Sequence, residues 1–211
     1  MPVNNLLSLD AFHDDDELNV IIETPKGSRN KYNYDEGLGL FKLGGVLTSG
    51  ASFPFDFGFV PSTVGGDGDP LDVLVLMDEP AFTGCLVRTR LVGVVEAEQT
   101  ERDGETTRND RLVGVAADSR LLGRVRALED LGPDLLEEIE HFFVSYNQIK
   151  GKTFRPLGRF GPARARALIE EGMKQFRRPK GKRPSPRPSS KPGGKRSGKK
   201  GSGKKGAGKK R

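Results

Sequence analysis

The chain has 211 residues with 35 Lys or Arg against 29 Asp or Glu, but sixteen of the basic residues and no acid lie in residues 177–211, so residues 1–176 hold 19 basic and 29 acidic side chains, a net of −10. These numbers describe an acidic body long enough for one sizeable core, followed by a basic extension. Cys85 is the only cysteine, which excludes an internal disulfide; no apolar run is long enough to span a bilayer; and Asp14-Asp15-Asp16-Glu17, with no basic residue in the first twenty, is the reverse of a targeting segment, so a cytoplasmic protein with no membrane role is expected.

Residues 1–17 read as a polar, acidic, loosely attached arm and residues 18–176 as one domain. Leu18 to Thr24 has strand character, with Glu23 interrupting the apolar run Val20-Ile21-Ile22, and Lys31–Tyr34 with Gly39–Lys42 predict a hairpin. Phe53, Phe55, Phe57 and Phe59 alternate, which puts them on one core face of an extended segment. Further strands are expected over residues 71–77, 84–97 and 110–115, and helices from Pro133 and from Pro162 to about Phe176, each opened by a proline and carrying an apolar stripe. Many short strands followed by two helices predict a mostly β, α+β fold: a small closed OB-like β-barrel with two packed helices. Residues 177–211 are rich in Lys, Arg, Gly, Ser and Pro and end in three copies of a pentapeptide, Ser-Gly-Lys-Lys-Gly, Ser-Gly-Lys-Lys-Gly and Ala-Gly-Lys-Lys-Arg. That composition predicts a disordered tail that binds nucleic acid or polyphosphate through counterion release.

The densest chemistry lies at Gly65 to Leu76, where Asp67, Asp69 and Asp72 precede or enter an apolar strand. From Leu71 the period is two, so Leu71, Val73 and Val75 take one face while Asp72, Leu74 and Leu76 take the other. Three carboxylates about 6 Å apart repel by roughly 3 kcal/mol per pair at an effective dielectric of about 20, so they call for cations. With neither Cys nor His nearby, hard divalent ions fit and zinc does not. An EF-hand is excluded because the required sixth-position Gly is Asp72. A phosphate-binding loop ending at Gly151-Lys152-Thr153 is excluded because its first Gly would be Tyr146.

The Asp67 to Val73 stretch resembles the signature of the soluble family I inorganic pyrophosphatases. Ile21–Pro25, Asn30-Lys31-Tyr32, Phe53–Pro61 and His141-Phe142-Phe143 followed by Tyr146 are similar to the same family in the same order, over residues 18 to 176. The resemblance implies Mg²⁺-dependent hydrolysis of pyrophosphate with two or more ions, Mn²⁺ being a possible substitute, in a homo-oligomer. It makes Asp69 the proton acceptor, Asp67 and Asp72 metal ligands, and Lys31, Arg111 and Tyr146 phosphate ligands, with Glu23 in support; Asp110, next to the position the register assigns to a metal-binding Asp, is the candidate further metal ligand, although in a strand it faces the other way. The chain also departs from the pattern. Gly44-Gly45 stands where an Asp-Arg pair is expected, Phe57 replaces a substrate-binding Tyr, Asn147 a Lys, and Asn109 a metal-binding Asp. Arg108, Lys152, Arg155 and Arg159 are the candidate replacement cations. The alternatives are a catalytically weakened relative that binds metal or phosphate ligands, and a nucleic-acid-binding barrel; the acidic body and core-spaced Phe residues disfavour the latter.

Overall fold

Strand β6 (Leu86–Thr100) runs for fifteen residues in the computed structural model, which describes residues 5–177, and the other elements are arranged along it. Its first part pairs with β1 (Glu17–Thr24), its middle with β8 (Arg111–Ala116), and its end with β7 (Thr106–Arg108) and β9 (Thr153–Phe160). So long a strand has to bend, and it does so at Gly93, where the register to β8 shifts. A Cβ at Gly93 would lie 2.5 Å from both Leu128 Cγ and the Phe160 carbonyl oxygen, so only glycine lets the loop and β9 approach this closely.

Strand β1 also pairs with β4 (Asp56–Phe59), β4 with β5 (Asp72–Leu76), and β5 in parallel with β8. The sequence of pairings β1–β4–β5–β8–β6–β1 therefore closes on itself, which gives the mostly-sheet α+β fold predicted from the sequence. Strands β2 (Asn30–Asp35) and β3 (Leu40–Val46) form the expected hairpin as a separate two-stranded sheet. Helices α1 (Pro133–Ile149) and α2 (Pro162–Phe176) begin at the predicted prolines. Among the described residues no helix is long and apolar enough to cross a membrane.

The period-two pattern of β5 separates two apolar clusters. Leu74 and Leu76 pack with Phe57, Val113, Val115 and the α1 residues Leu136, Ile139 and Phe143. Val73 and Val75 pack with Val20, Ile22, Leu112 and the α2 residues Ala165 and Ile169. Each wholly buried Ile or Leu contributes about 2 kcal/mol, so removal of either helix's inner face would unseat it.

Two expectations need correction. Residues 5–17 are anchored rather than loose: Ala11 is buried, its carbonyl accepts the Asn19 N–H at 2.9 Å, the Leu7 carbonyl accepts the Ser62 N–H at 2.8 Å, and Arg166 lies 4.6 Å over the Phe12 ring. Short apolar residues in a polar stretch, Leu7, Ala11 and Phe12, supply that anchorage. Among the alternating phenylalanines, Phe53, Phe57 and Phe59 are buried and Phe55 half-buried, but they do not share one cluster: β4 begins only at Asp56, and Phe59 faces Tyr34 at 6.2 Å. The basic extension lies outside the described residues beyond Arg177.

Candidate active site

The loop that feeds β5 is held by hydrogen bonds from its backbone N–H groups. Gly65 N–H donates to the Asp69 carbonyl at 2.7 Å, Asp69 N–H donates to Asp67 Oδ1 at 3.1 Å, and Thr63 Oγ1 accepts the Leu71 N–H at 3.0 Å. Gly68, with φ of 88°, makes the turn that sets Asp67 and Asp69 on the same rim. Asp72 then enters the sheet beside β8. Because Val73 is in register with Leu112, Asp72 and Arg111 each precede a paired residue on adjacent parallel strands, and Arg111 Nη1 donates to Asp72 Oδ2 at 2.5 Å.

Arg111 is buried, with its guanidinium 4.9 Å from the Phe143 ring centroid and 5.5 Å from that of Phe154, and Nη1 also donates to Asn109 Oδ1. Its Nε is buried with no acceptor. Asp110, just before β8, turns toward β6, where its Oδ1 accepts the Ala97 N–H at 2.9 Å and meets Arg108 at 2.9 Å. All the same, Asp110 lines, with Asp67, Asp72, Arg108 and Asn109, a cavity of about 30 Å³. Three carboxylates therefore wall one small space, a donor set that suits a hard divalent cation.

Glu23 and Lys31 come to this rim from β1 and β2. Lys31 Nζ is 3.9 Å from Glu23 Oε2 and 4.5 Å from the Phe57 ring centroid, so the ammonium lies over the phenyl face. Tyr34 N–H fixes Glu23 by donating to Oε1 at 2.7 Å. Burial, opposed by Lys31 and reinforced by Asp72 and Asp69, pushes the Glu23 carboxyl up to about 7. Asp67 and Asp69 stand open at the rim, yet removal of water by the surrounding walls, together with neighbouring acids, raises both, Asp67 to about 6. Desolvation first, and neighbouring acids second, lift Glu23 and Asp67 to about 7 and about 6, a strain that divalent cations would relieve. Among the described residues the only three ligand atoms within 4.8 Å of one another belong to His13, Asp14 and Glu17 on the surface, so the rim acids are more widely spaced.

Tyr146, one turn from the end of α1, packs edge-on to Phe53 at 5.7 Å, and burial and the nearby Asp72 raise its phenol. The four candidate replacement cations are all turned to acids. Arg108 bridges Glu96 and Asp110, Lys152 meets Glu101 at 2.7 Å, Arg155 meets Glu98 at 2.5 Å and Arg159 meets Glu140 at 2.7 Å. Asn147 is buried, with its amide nitrogen donating to the Phe143 carbonyl at 2.9 Å, and so serves the helix. Sequence reasoning missed Lys150, whose ammonium donates to the Tyr146 hydroxyl and lies 4.0 Å over its ring. Its signal was the four-residue spacing from Tyr146, which puts two side chains on one side of a helix end.

A closed sheet whose mouth opposes carboxylates with lysine, arginine and a phenol defines a class of α+β protein fitted to polyanions. The family described as inorganic pyrophosphatase matches residues 20–177. The chain is similar to an inorganic pyrophosphatase of Nostoc sp., at 37% identity over 160 residues, covering 76% of this chain and 92% of the relative. It is also similar to one of Geobacillus stearothermophilus, at 38% identity over 156 residues, covering 74% and 91%. The solved structure of the Thermus thermophilus inorganic pyrophosphatase aligns with a TM-score of 0.74 and 34% identity, over 82% of this chain and 98% of that one. The chain belongs to the family I soluble inorganic pyrophosphatases.

Proposed function

We propose that this chain hydrolyses pyrophosphate to two orthophosphates with Mg²⁺, Mn²⁺ serving as a substitute. The observation that carries this reading is the meeting, at one barrel mouth, of Asp67, Asp69 and Asp72 with Lys31, Arg111 and Tyr146.

Asp67 and Asp72, which line the cavity, would hold the cations, and Asp110, also in its lining with Oδ1 engaged by the Ala97 N–H, would add a further carboxylate. Divalent ions, when bound, supply neutralisation of the diphosphate and acidification of water. Asp69, exposed at the rim, would accept the proton of the attacking water. Lys31 is placed by Glu23 and Phe57 to meet a phosphate oxygen, and Arg111, anchored to Asp72, adds its positive charge from beneath the site. The Tyr146 hydroxyl, kept protonated, donates a hydrogen bond. These groups hold the transferring phosphoryl in place while its charge shifts.

A weakened enzyme is the second reading, favoured by Gly45, Phe57 and Asn147 in place of three polar groups. The reading extends to a cytoplasmic homo-oligomer, in which the exposed Leu38, Leu40, Leu43 and Val46 would be covered, and to a basic extension that engages nucleic acid or polyphosphate. Phosphate release from pyrophosphate by the purified chain tests the activity: Mg²⁺-dependent turnover abolished by chelator is expected, and release no faster than buffer would refute it.

A further inference from the structure

Lys150 is half-buried, and a partly desolvated ammonium usually has a carboxylate beside it. Lys150 has none among the described residues: its ammonium has the Tyr146 hydroxyl as hydrogen-bond partner and the Tyr146 ring beneath it. Its surroundings are unfavourable. Burial, with Lys31 and Lys152 adding repulsion and Glu101 only partly offsetting it, pushes Lys150 down to about 8. Glu101, the nearest relieving acid, is already bonded to Lys152 at 2.7 Å.

The placement is held by the backbone. Helix α1 ends at Ile149, and the Lys150 and Lys152 N–H groups both donate to the Asn147 carbonyl, at 2.9 and 3.0 Å, which fixes the turn through Gly151. Arg102 Nε donates to the Lys150 carbonyl at 2.7 Å, tying the same turn to the loop after β6. The chain therefore holds an unpaired ammonium against a phenol that also senses Asp72, Arg111 and Glu23. Lys31, held on the hairpin beside Glu23, is near enough to add to the repulsion on Lys150.

We propose that Lys150 is a substrate-binding residue that, with Lys31 and the Tyr146 hydroxyl, contacts the non-bridging oxygens of the diphosphate, and that it supplies the positive charge missing at Asn147. The inference rests on the pyrophosphatase reading. An incoming phosphate would provide the counter-charge that the protein withholds, and the ammonium is short of partners only until then.

The test compares full-length wild type with Lys150→Met and Lys150→Arg by two readouts: pyrophosphate turnover with Mg²⁺, and calorimetric binding of inorganic phosphate in the presence of Mg²⁺. Lys150→Met is expected to raise KM and weaken phosphate binding at least tenfold, and Lys150→Arg to stay within about threefold of wild type in both. Circular dichroism and melting establish that the variants are folded. Wild-type turnover with Lys150→Met inside twofold on KM and on phosphate affinity would overturn this assignment and leave the pyrophosphatase reading standing. Absence of both turnover and phosphate binding in wild type would overturn that reading itself.

Discussion

Asp72 and Arg111 occupy matching positions on adjacent parallel strands, one residue before the pair Val73 and Leu112, and their side chains meet at 2.5 Å. Arg111 is almost wholly enclosed and Asp72 a quarter exposed, so the guanidinium depends on this carboxylate more than the carboxylate depends on it. Asp72→Asn is expected to lower kcat/KM at least a thousandfold and, by leaving a buried arginine short of its anion, to cost about 2 kcal/mol of stability. Arg111→Met is expected to lower activity with a smaller change in melting temperature. A double-mutant cycle on chemical denaturation checks this; additive losses would show that the pair is not coupled.

The crowded acids set a pH dependence of stability in the metal-free protein. Glu23 titrates near 7 and Asp67 near 6, both above their unfolded values, so the folded chain binds more protons between about pH 4 and 7. Their contribution is therefore full below about pH 4 and is lost as pH rises through 7. Mg²⁺ should raise the melting temperature more at pH 7.5 than at pH 5, and its uptake at pH 6.5 should release protons. Calorimetry in two buffers of different ionisation enthalpy measures that release, and proton-neutral uptake would contradict it.

Gly45 lies opposite Lys31 in the hairpin, and a Cβ there would meet nothing within 4 Å. Gly45→Arg should thus fold normally and place a second cation beside Lys31, lowering KM for pyrophosphate roughly tenfold, as expected for one charged hydrogen bond. An unchanged KM would mean that this edge of the mouth does not face substrate.

Lys150 carries a stability cost that accompanies its proposed role. With a folded value near 8 against 10.5 for an ordinary lysine, the folded chain binds fewer protons between pH 8 and 10.5, so its destabilising contribution is full below pH 8 and fades above it. Lys150→Met should gain about 1 kcal/mol at pH 7 and little at pH 10.5. Denaturant melts at the two pH values measure the difference; a loss of stability at pH 7 would show that the ammonium is satisfied as it stands.

Much of the fold could be read from residue order because local rules and tertiary packing agree. The β5 alternation assigned each residue from Leu71 to Leu76 to the face it occupies, and the prolines at 133 and 162 mark the helix starts. Strand β9 was not legible: Pro156 and Gly158 interrupt it, only Phe154 is buried, and its place comes from pairing with distant β6. That same pairing puts Arg155 opposite Glu98, which is why a basic stretch that looked available to substrate is consumed by the sheet. The grouping of Asp67, Asp69 and Asp72 could be read because they lie within six positions, and their role in the site is part of the proposal. Lys150 could not be read, since its proximity to Lys31 depends on how α1 and the hairpin come together.

The most direct measurement is a calorimetric titration of Mg²⁺ into the full-length protein and into Asp67→Asn and Asp72→Asn. Saturable uptake by wild type, weakened at least tenfold in each variant, is the predicted result. Equal uptake by all three, or none by wild type with or without pyrophosphate, would contradict the assignment of these acids as the cation-holding wall of the site.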